Sequence, residues 1–367
     1  MKKICHLTSV HKRNDIRIFI KECCSLSEYF NVTLIVADGN GDSTEKNIQI
    51  LDIGKPTSRL NRMVKSSRQM FLKAVSLQAD LYHIHDPELI PVGIKLLNKG
   101  FKVIFDAHED LPKQILTKPY LHKIFRPTLA FAISNYEKFS LRKFSGIVTS
   151  TNTIACKFKF INNKVININN YPILNELFED SISFNNSKET FAFVGGMTAI
   201  RGIPEILDSI NFVSQPCKIA FAGEFSPSNF KHSCISHNNF DKVDYLGQLS
   251  RIEVKDLLKR SIAGLVLYAP VPNHIDAQPN KLFEYMSAGI AVIGSDFPLW
   301  KDIIEAYSCG ICVNPEDPKE IAGAINYLKA NPNIAKKMGL NGRNAVINTF
   351  NWETEQQKLV SFYKEII

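Results

Sequence analysis

The stretch "LVLYAPVPNHIDAQPNKLFEYMSAGIAVIGSD", residues 265–296, decides the fold. "LVLYAP" is a short apolar run of strand length, residues 271–279 are rich in loop formers, a helix begins near Asn280, and "IAVIGSD" is a second apolar strand. Two apolar strands joined through a helix form a βαβ crossover, the building unit of a parallel sheet buried on both faces. Pro279, with its fixed φ and missing N–H, suits the first helical position.

The same grammar extends in both directions. "TFAFVGG", "KIAFAGE", "VDYLG" and "CGICVNP" complete a second-half sheet, while "KKICHLT", "VTLIVA", "LYHIHD", "KVIFDAH", "GIVTS" and "KVININN" supply a first-half sheet. The chain of 367 residues exceeds one ordinary core and implies two domains. The polar segment "NNYPILNELFEDSISFNNSKE" marks the junction, which predicts one domain over 1–175, a second over 176–350, and a helical tail over 351–367 packing back on the first. The expected class is α/β: two doubly wound Rossmann-like sheets facing each other across a cleft at their strand carboxyl ends, where such sheets take ligands.

Composition narrows the rest. The hydrophobic share of 45% with 22% charged residues fits a globular protein. No apolar run reaches spanning length and the first residues lack a secretory core, which predicts a cytoplasmic location. Eight cysteines are scattered without a scaffold rhythm, and the pair Cys309 and Cys312 has no second half for a zinc site, so thiols are expected. Residues 1–172 hold 26 Lys and Arg against 14 Asp and Glu, whereas the remainder holds 18 against 22. A basic first half calls for an anionic partner, either nucleic acid or the inner face of a membrane.

The loop and helix of the opening stretch carry more chemistry than packing needs. A helix start offers N–H groups and a positive dipole end to phosphate. Lys281 adds a cation, and Asp276 and Glu284 are acceptor-only groups suited to sugar hydroxyls. That mixture matches a nucleoside-diphosphate sugar. The plainer alternative leaves Glu284 as a helix-start acid and Asp276 as a solvated one.

Asp276, seven residues, Glu284 and the following "MSAGIAVIGSD" resemble the signature of family 4 glycosyltransferases of the GT-B fold, as do "PNKLFEY", "FVGGMTAIRG", "IAFAGE", "YLGQLSRIEVKDLL" and "HLTSVHKRNDIRIFIKECCSL". The resemblance implies a donor site drawn from Gly196, Arg201, Gly223 and Leu249, joined by Pro279, Asn280, Lys281 and Glu284. It implies catalytic roles for His108, Arg201, Asp276 and Lys281, with His108 near the donor sugar. Two departures stand out: the first acid is Asp276 rather than Glu, and Gly196 stands where the family tends to place an arginine, leaving Arg201 in the second cationic position.

Other residues keep two readings. His108 is either a donor-orienting group or a strand-end histidine satisfied by Glu109 or Asp110. Asp86 is expected to cap a helix, with His85 an acceptor-site candidate. His11, Lys12, Arg13 and Arg17 form a basic loop that could meet an anionic acceptor, and Asp15 reads as an N-cap. Between Arg59 and Val75, Leu60, Met63, Val64, Phe71, Ala74 and Val75 follow helical spacing, with Arg59, Arg62, Lys65 and Arg68 on another face. Such a segment is either a packed helix or, with "KPYLHKIFRP" and "EKFSLRKF", a surface that rests on anionic lipid. No D-x-D triplet occurs, which predicts metal-independent catalysis without a cofactor.

The combined expectation is a retaining hexosyltransferase. It would move sugar from a nucleotide donor, a uridine diphosphate sugar first, to a lipid-linked (polyprenyl diphosphate) saccharide in O-antigen or capsule synthesis. The rivals are a nucleotide-sugar epimerase on the same scaffold and a nucleic-acid-binding protein; the second lacks any recognition motif, so no nucleic acid is expected.

Overall fold

A computed structural model describes residues 1–117, 121–178 and 189–367. The chain divides into two compact units, Met1–Asn170 with Trp352–Ile367, and Tyr171–Asn351. Part of the polar junction segment lies outside the described residues, as do residues 118–120 of "KPYLHKIFRP".

The first unit holds β1 (Lys3–Leu7), β2 (Asn31–Val36), β3 (Ser43–Glu45), β4 (Ile48–Asp52), β5 (Leu81–Ile84), β6 (Lys102–Ala107), β7 (Gly146–Thr149) and β8 (Val165–Asn167). They form one sheet in the order β3-β4-β2-β1-β5-β6-β7-β8, parallel except for the β3–β4 hairpin. The second unit holds β9 (Thr190–Val194), β10 (Lys218–Ala222), β11 (Val243–Gly247), β12 (Ser261–Val266), β13 (Ala291–Ser295) and β14 (Gly310–Val313), all parallel, in the order β11-β10-β9-β12-β13-β14. Both orders run outward in both directions from the unit's first strand, the doubly wound arrangement, so each sheet has a switch point beside that strand.

Residue alternation explains why the second sheet is buried on both faces. Phe191 and Phe193 of β9, with Ile219 and Phe221 of β10, face one core together with the helices Ile203–Ser209 and Pro318–Ala330. Ala192, Val194, Ala220 and Ala222 face the other, against the helices Arg251–Lys259, Asn280–Ser287 and Pro298–Ala306. Small side chains on that second face let the helices approach closely, and each fully buried Phe contributes about 2–3 kcal/mol.

The tail helix Trp352–Ile366 packs on the first unit. Trp352 Nε1 donates to Ser25 Oγ at 2.8 Å, and Phe362 and Ile366 lie against Gly146, where an added methyl would stand 2.7 Å from each.

Three local readings change. Pro279 occupies the N-cap, so Asn280 is the first helical residue. The β3–β4 hairpin was not expected. The stripe after Arg59 is only partly packed: Ala74 is buried, but Leu60 is 76% exposed and Val64 72%. Asp15, as expected, caps the helix Ile16–Cys23, accepting from the N–H of Arg17 and Ile18.

Candidate functional site

In the second unit the expected residues gather at the carboxyl ends of β9, β10 and β12. The chain turns sharply there. Gly223 has φ 144°, and a methyl on it would lie 2.0 Å from the Gly195 carbonyl oxygen, so only glycine lets these two strand ends meet. Arg201 Nη1 donates to the Gly196 carbonyl at 2.9 Å, and its guanidinium lies 5.6 Å from the Tyr268 ring centre. Lys281 reaches the same turn, since a methyl at Gly195 would stand 3.1 Å from its Cε.

The helix Asn280–Ser287 is held rigidly. Tyr285 packs over Gly264, where a methyl would fall 2.2 Å from the ring, and its hydroxyl accepts from Val194 N at 3.0 Å. Trp300 Nε1 donates to the Ala277 carbonyl at 2.7 Å and anchors the preceding loop. No side chain caps the helix start, so its first N–H groups keep the positive dipole end open to an anion.

Lys281, read from the sequence as an added cation, is held by an ion pair. Its Nζ pairs with Glu284 Oε2 at 2.7 Å, while Arg251 Nη1 takes Oε1 at 2.9 Å and Arg251 Nε reaches Glu176 at 2.8 Å. Burial works to raise the Glu284 carboxyl, but the charges of Lys281 and Arg251 outweigh it and hold it at about 2. Each oxygen of Glu284 thus has one cationic partner and keeps acceptor capacity for a hydroxyl.

Arg251 is the residue that sequence reading missed. A local signal was present: "SRIE" is a capping box, with Ser250 Oγ accepting from Glu253 N at 3.3 Å and Glu253 Oε2 accepting from Ser250 N at 2.7 Å. It sets Arg251 in the first helical position beyond β11. Leu249, just before it, is half-buried against the core. Asp276 is exposed and closes the short helix Pro272–Ile275.

His108 belongs to the first unit. Its Nε2 lies 2.9 Å from Asp106 Oδ2, while Glu109 bonds Gln114 and Asp110 pairs with Lys157. The partner is therefore a buried strand acid two residues back, not the neighbouring acids. His108 remains 21% exposed.

Behind it lies a buried polar network. Asp106 also accepts from both arms of Arg17 at 3.0 Å, and Arg17 lies 3.1 Å from Glu22. Burial opposes ionisation of Asp106, but Arg17 and His108 overcome it and keep the carboxyl well below the usual range. Glu22 is pushed well above it by burial and by Asp106. Burial also lowers His6, His83 and His85. Tyr363 of the tail helix hydrogen-bonds His83. Arg17 is thus a core residue and cannot meet an acceptor. Arg13 is likewise engaged, forked onto Asp38 at 2.8 and 2.7 Å; of the four loop cations only Lys12 is exposed.

Asp86 stands at an N-cap position but caps nothing with its side chain. Its carboxylate instead takes Ser9 N at 2.6 Å, Thr8 Oγ1 at 2.9 Å and Val10 N at 3.2 Å, with His11 Nδ1 at 3.1 Å. The loop after β1 offers more donors than a helix end would, and it wins. Although burial resists ionisation, His11 and these donors hold Asp86 at about 2. Cys309 is buried and Cys312 half-buried, both as free thiols.

The family described as "Glycosyl transferases group 1" matches residues 175–345. An uncharacterized glycosyltransferase of Methanocaldococcus jannaschii is 25% identical over 195 residues, covering 51% of this chain and 47% of that protein, so the match spans about half the relative's length. Among solved structures, sucrose-phosphate synthase from Thermosynechococcus elongatus superposes with a TM-score of 0.80 at 15% identity, covering 100% of this chain and 99% of that one. Anabaena HepE in complex with UDP-glucose gives 0.74 at 14% identity, covering 100% of both. The matched segment embraces Arg201, Arg251, Lys281 and Glu284; over that segment the chain is similar to the group 1 glycosyl transferases, and as a whole it has the two-sheet GT-B fold of these solved structures.

Proposed function

We propose that the chain is a family 4 enzyme that moves a hexose from a uridine diphosphate sugar to a lipid-linked saccharide, with retention and without a metal, in the making of cell-surface polysaccharide. The observation that carries this reading is the cationic cluster at one switch point: Arg201 at the Gly196 turn, Lys281 over Gly195, and Arg251 behind Glu284, all beside an uncapped helix start. Such a cluster fits a diphosphate. The UDP-glucose carried by Anabaena HepE supports the donor class.

In this mechanism the bond from the sugar's anomeric carbon to the diphosphate oxygen breaks, and its electron pair leaves with the diphosphate. A bond to the acceptor hydroxyl oxygen forms, and the hydroxyl proton passes to the departing phosphate oxygen. Arg201, Lys281 and the helix N–H groups stabilise the growing negative charge as preorganised dipoles and cations. Glu284 and Asp276 accept from donor hydroxyls.

The acceptor side rests on the first unit. Leu60 and Val64 stand exposed beside Arg59 and Lys65, and Phe125, Phe131 and Phe139 are exposed on the helix Phe125–Leu141 near Lys138, Arg142 and Lys143. Apolar groups rimmed by cations suit an anionic lipid surface. Among the described residues no helix is long and apolar enough to cross a membrane.

Titration calorimetry with uridine diphosphate tests the donor site. Lys281→Ala and Arg201→Ala are each expected to weaken binding at least tenfold and to lower kcat/KM by roughly 10²–10³ with the donor. Unchanged binding in both would overturn the assignment.

A further inference from the structure

The first unit's core contains a histidine cluster that sugar transfer does not use. The β1–β5 ladder sets His6 beside His83, and His85, two residues on, shares their face. Glu22 comes from the helix Ile16–Cys23. All four are at most 1% exposed, and one ligand-type atom from each lies within 4.8 Å of the others.

Three buried polar atoms of the cluster are short of partners. Both carboxylate oxygens of Glu22 and the Nε2 of His83 have no hydrogen bond despite full burial, a costly condition for groups of this kind. His6 Nδ1 and His85 Nε2 hydrogen-bond each other at 2.8 Å, a pairing that a shared metal ion would replace. The other nitrogens of these imidazoles meet orienting groups: His85 Nδ1 lies 3.3 Å from Asp106, His6 Nε2 lies 3.4 Å from the Tyr363 hydroxyl, and His83 Nδ1 also bonds that hydroxyl. Histidines that hold a metal with one nitrogen and a carboxylate or hydroxyl with the other show this pattern.

One guanidinium, Arg17, serves both buried acids: it is forked onto Asp106 and lies 3.1 Å from Glu22. A dication between the imidazoles and Glu22 would stabilise the carboxylate form of Glu22. Three imidazoles and one carboxylate suit zinc or a neighbouring first-row dication, whereas calcium and magnesium require oxygen ligands.

We propose that His6, Glu22, His83 and His85 bind one transition-metal dication, zinc foremost, as a structural ion inside the first unit. The ion would bind β1 and β5 to the first helix at the sheet's switch point. It is separate from the cationic donor cluster and independent of the transfer reading.

The test is the metal content of the full chain, purified without a histidine tag and dialysed against a weak chelator. Mass spectrometry should find ~1 zinc-class ion per chain. A competing chelator should extract it from Glu22→Gln and from His83→Ala at least tenfold more readily, while His237→Ala behaves as wild type. Apo-protein loaded with cobalt should show visible bands of a four-coordinate site, lost in Glu22→Gln. Should His83→Ala fail to fold, the near-isosteric Glu22→Gln decides alone. The proposal is overturned if the wild-type chain holds under about 0.1 equivalent both as purified and after refolding with zinc or cobalt, or if Glu22→Gln binds as tightly as wild type.

Discussion

Glu284 lies between Lys281 and Arg251, and removing either cation leaves a half-buried carboxylate under-compensated. Arg251→Ala is therefore expected to raise the Glu284 carboxyl from about 2 towards the ordinary range and to lower kcat about tenfold or more. Arg251→Lys, which keeps the charge but not the fork to Glu176, should recover part of that loss; steady-state kinetics across pH measure both. Asp86 gives a separate pH signature. Its folded value of about 2 lies below that of the unfolded chain, so its contribution, about 2 kcal/mol, is present above about pH 4 and is lost as pH falls towards 2. Its partner His11 is raised, the Asp86 hydrogen bond and charge outweighing burial, so the His11 share is full at low pH and fades as pH rises through that raised value. Thermal unfolding of wild type should show both limbs, and Asp86→Asn should flatten them. At this scale the sequence disclosed residues whose partners are near in the chain: Lys281 and Glu284 are one helical turn apart. Arg251 pairs across 33 positions with Glu284, and Arg17 across 89 with Asp106, distances at which no periodicity operates, so one was missed and the other read as a loop cation.

Elements were legible wherever burial imposed a pattern. The twelve strands read from apolar runs are all present, because a parallel sheet covered on both faces needs continuous apolar strands. The hairpin of β3 and β4 lacked such a signal. Its turn residues Lys46 and Asn47 both have positive φ, but lysine is not a residue that announces such a turn. The helical stripe after Arg59 divides between its two readings: Met70 and Ala74 are buried, while Leu60, Met63 and Val64 are left uncovered. Two substitutions probe the elements that frame the donor cluster. Gly223→Ala, facing the Gly195 carbonyl at 2.0 Å, should cost about 3 kcal/mol or more, visible as a lowered denaturation midpoint. Ser250→Ala removes one half of the capping box and should cost about 1 kcal/mol, with donor affinity falling as Arg251 loosens.

For the whole molecule, the exposed apolar and basic groups of the first unit predict sedimentation with vesicles rich in anionic lipid, weakening as salt rises. Leu60→Ser combined with Val64→Ser should reduce the bound fraction several-fold without altering the thermal midpoint, because neither side chain is packed. The charge asymmetry between the halves foretold a basic first unit, but only the coordinates reveal which apolar groups accompany that charge. The first unit is also discontinuous in sequence. Its core is finished by Trp352, Leu359, Phe362 and Tyr363, which the ribosome adds only after the entire second unit has been made. A nascent chain therefore cannot complete its domains in the order of translation. The earliest half must wait, its hydrophobic sheet unsealed, until the last helix emerges, and chaperones would find their longest-lived target there.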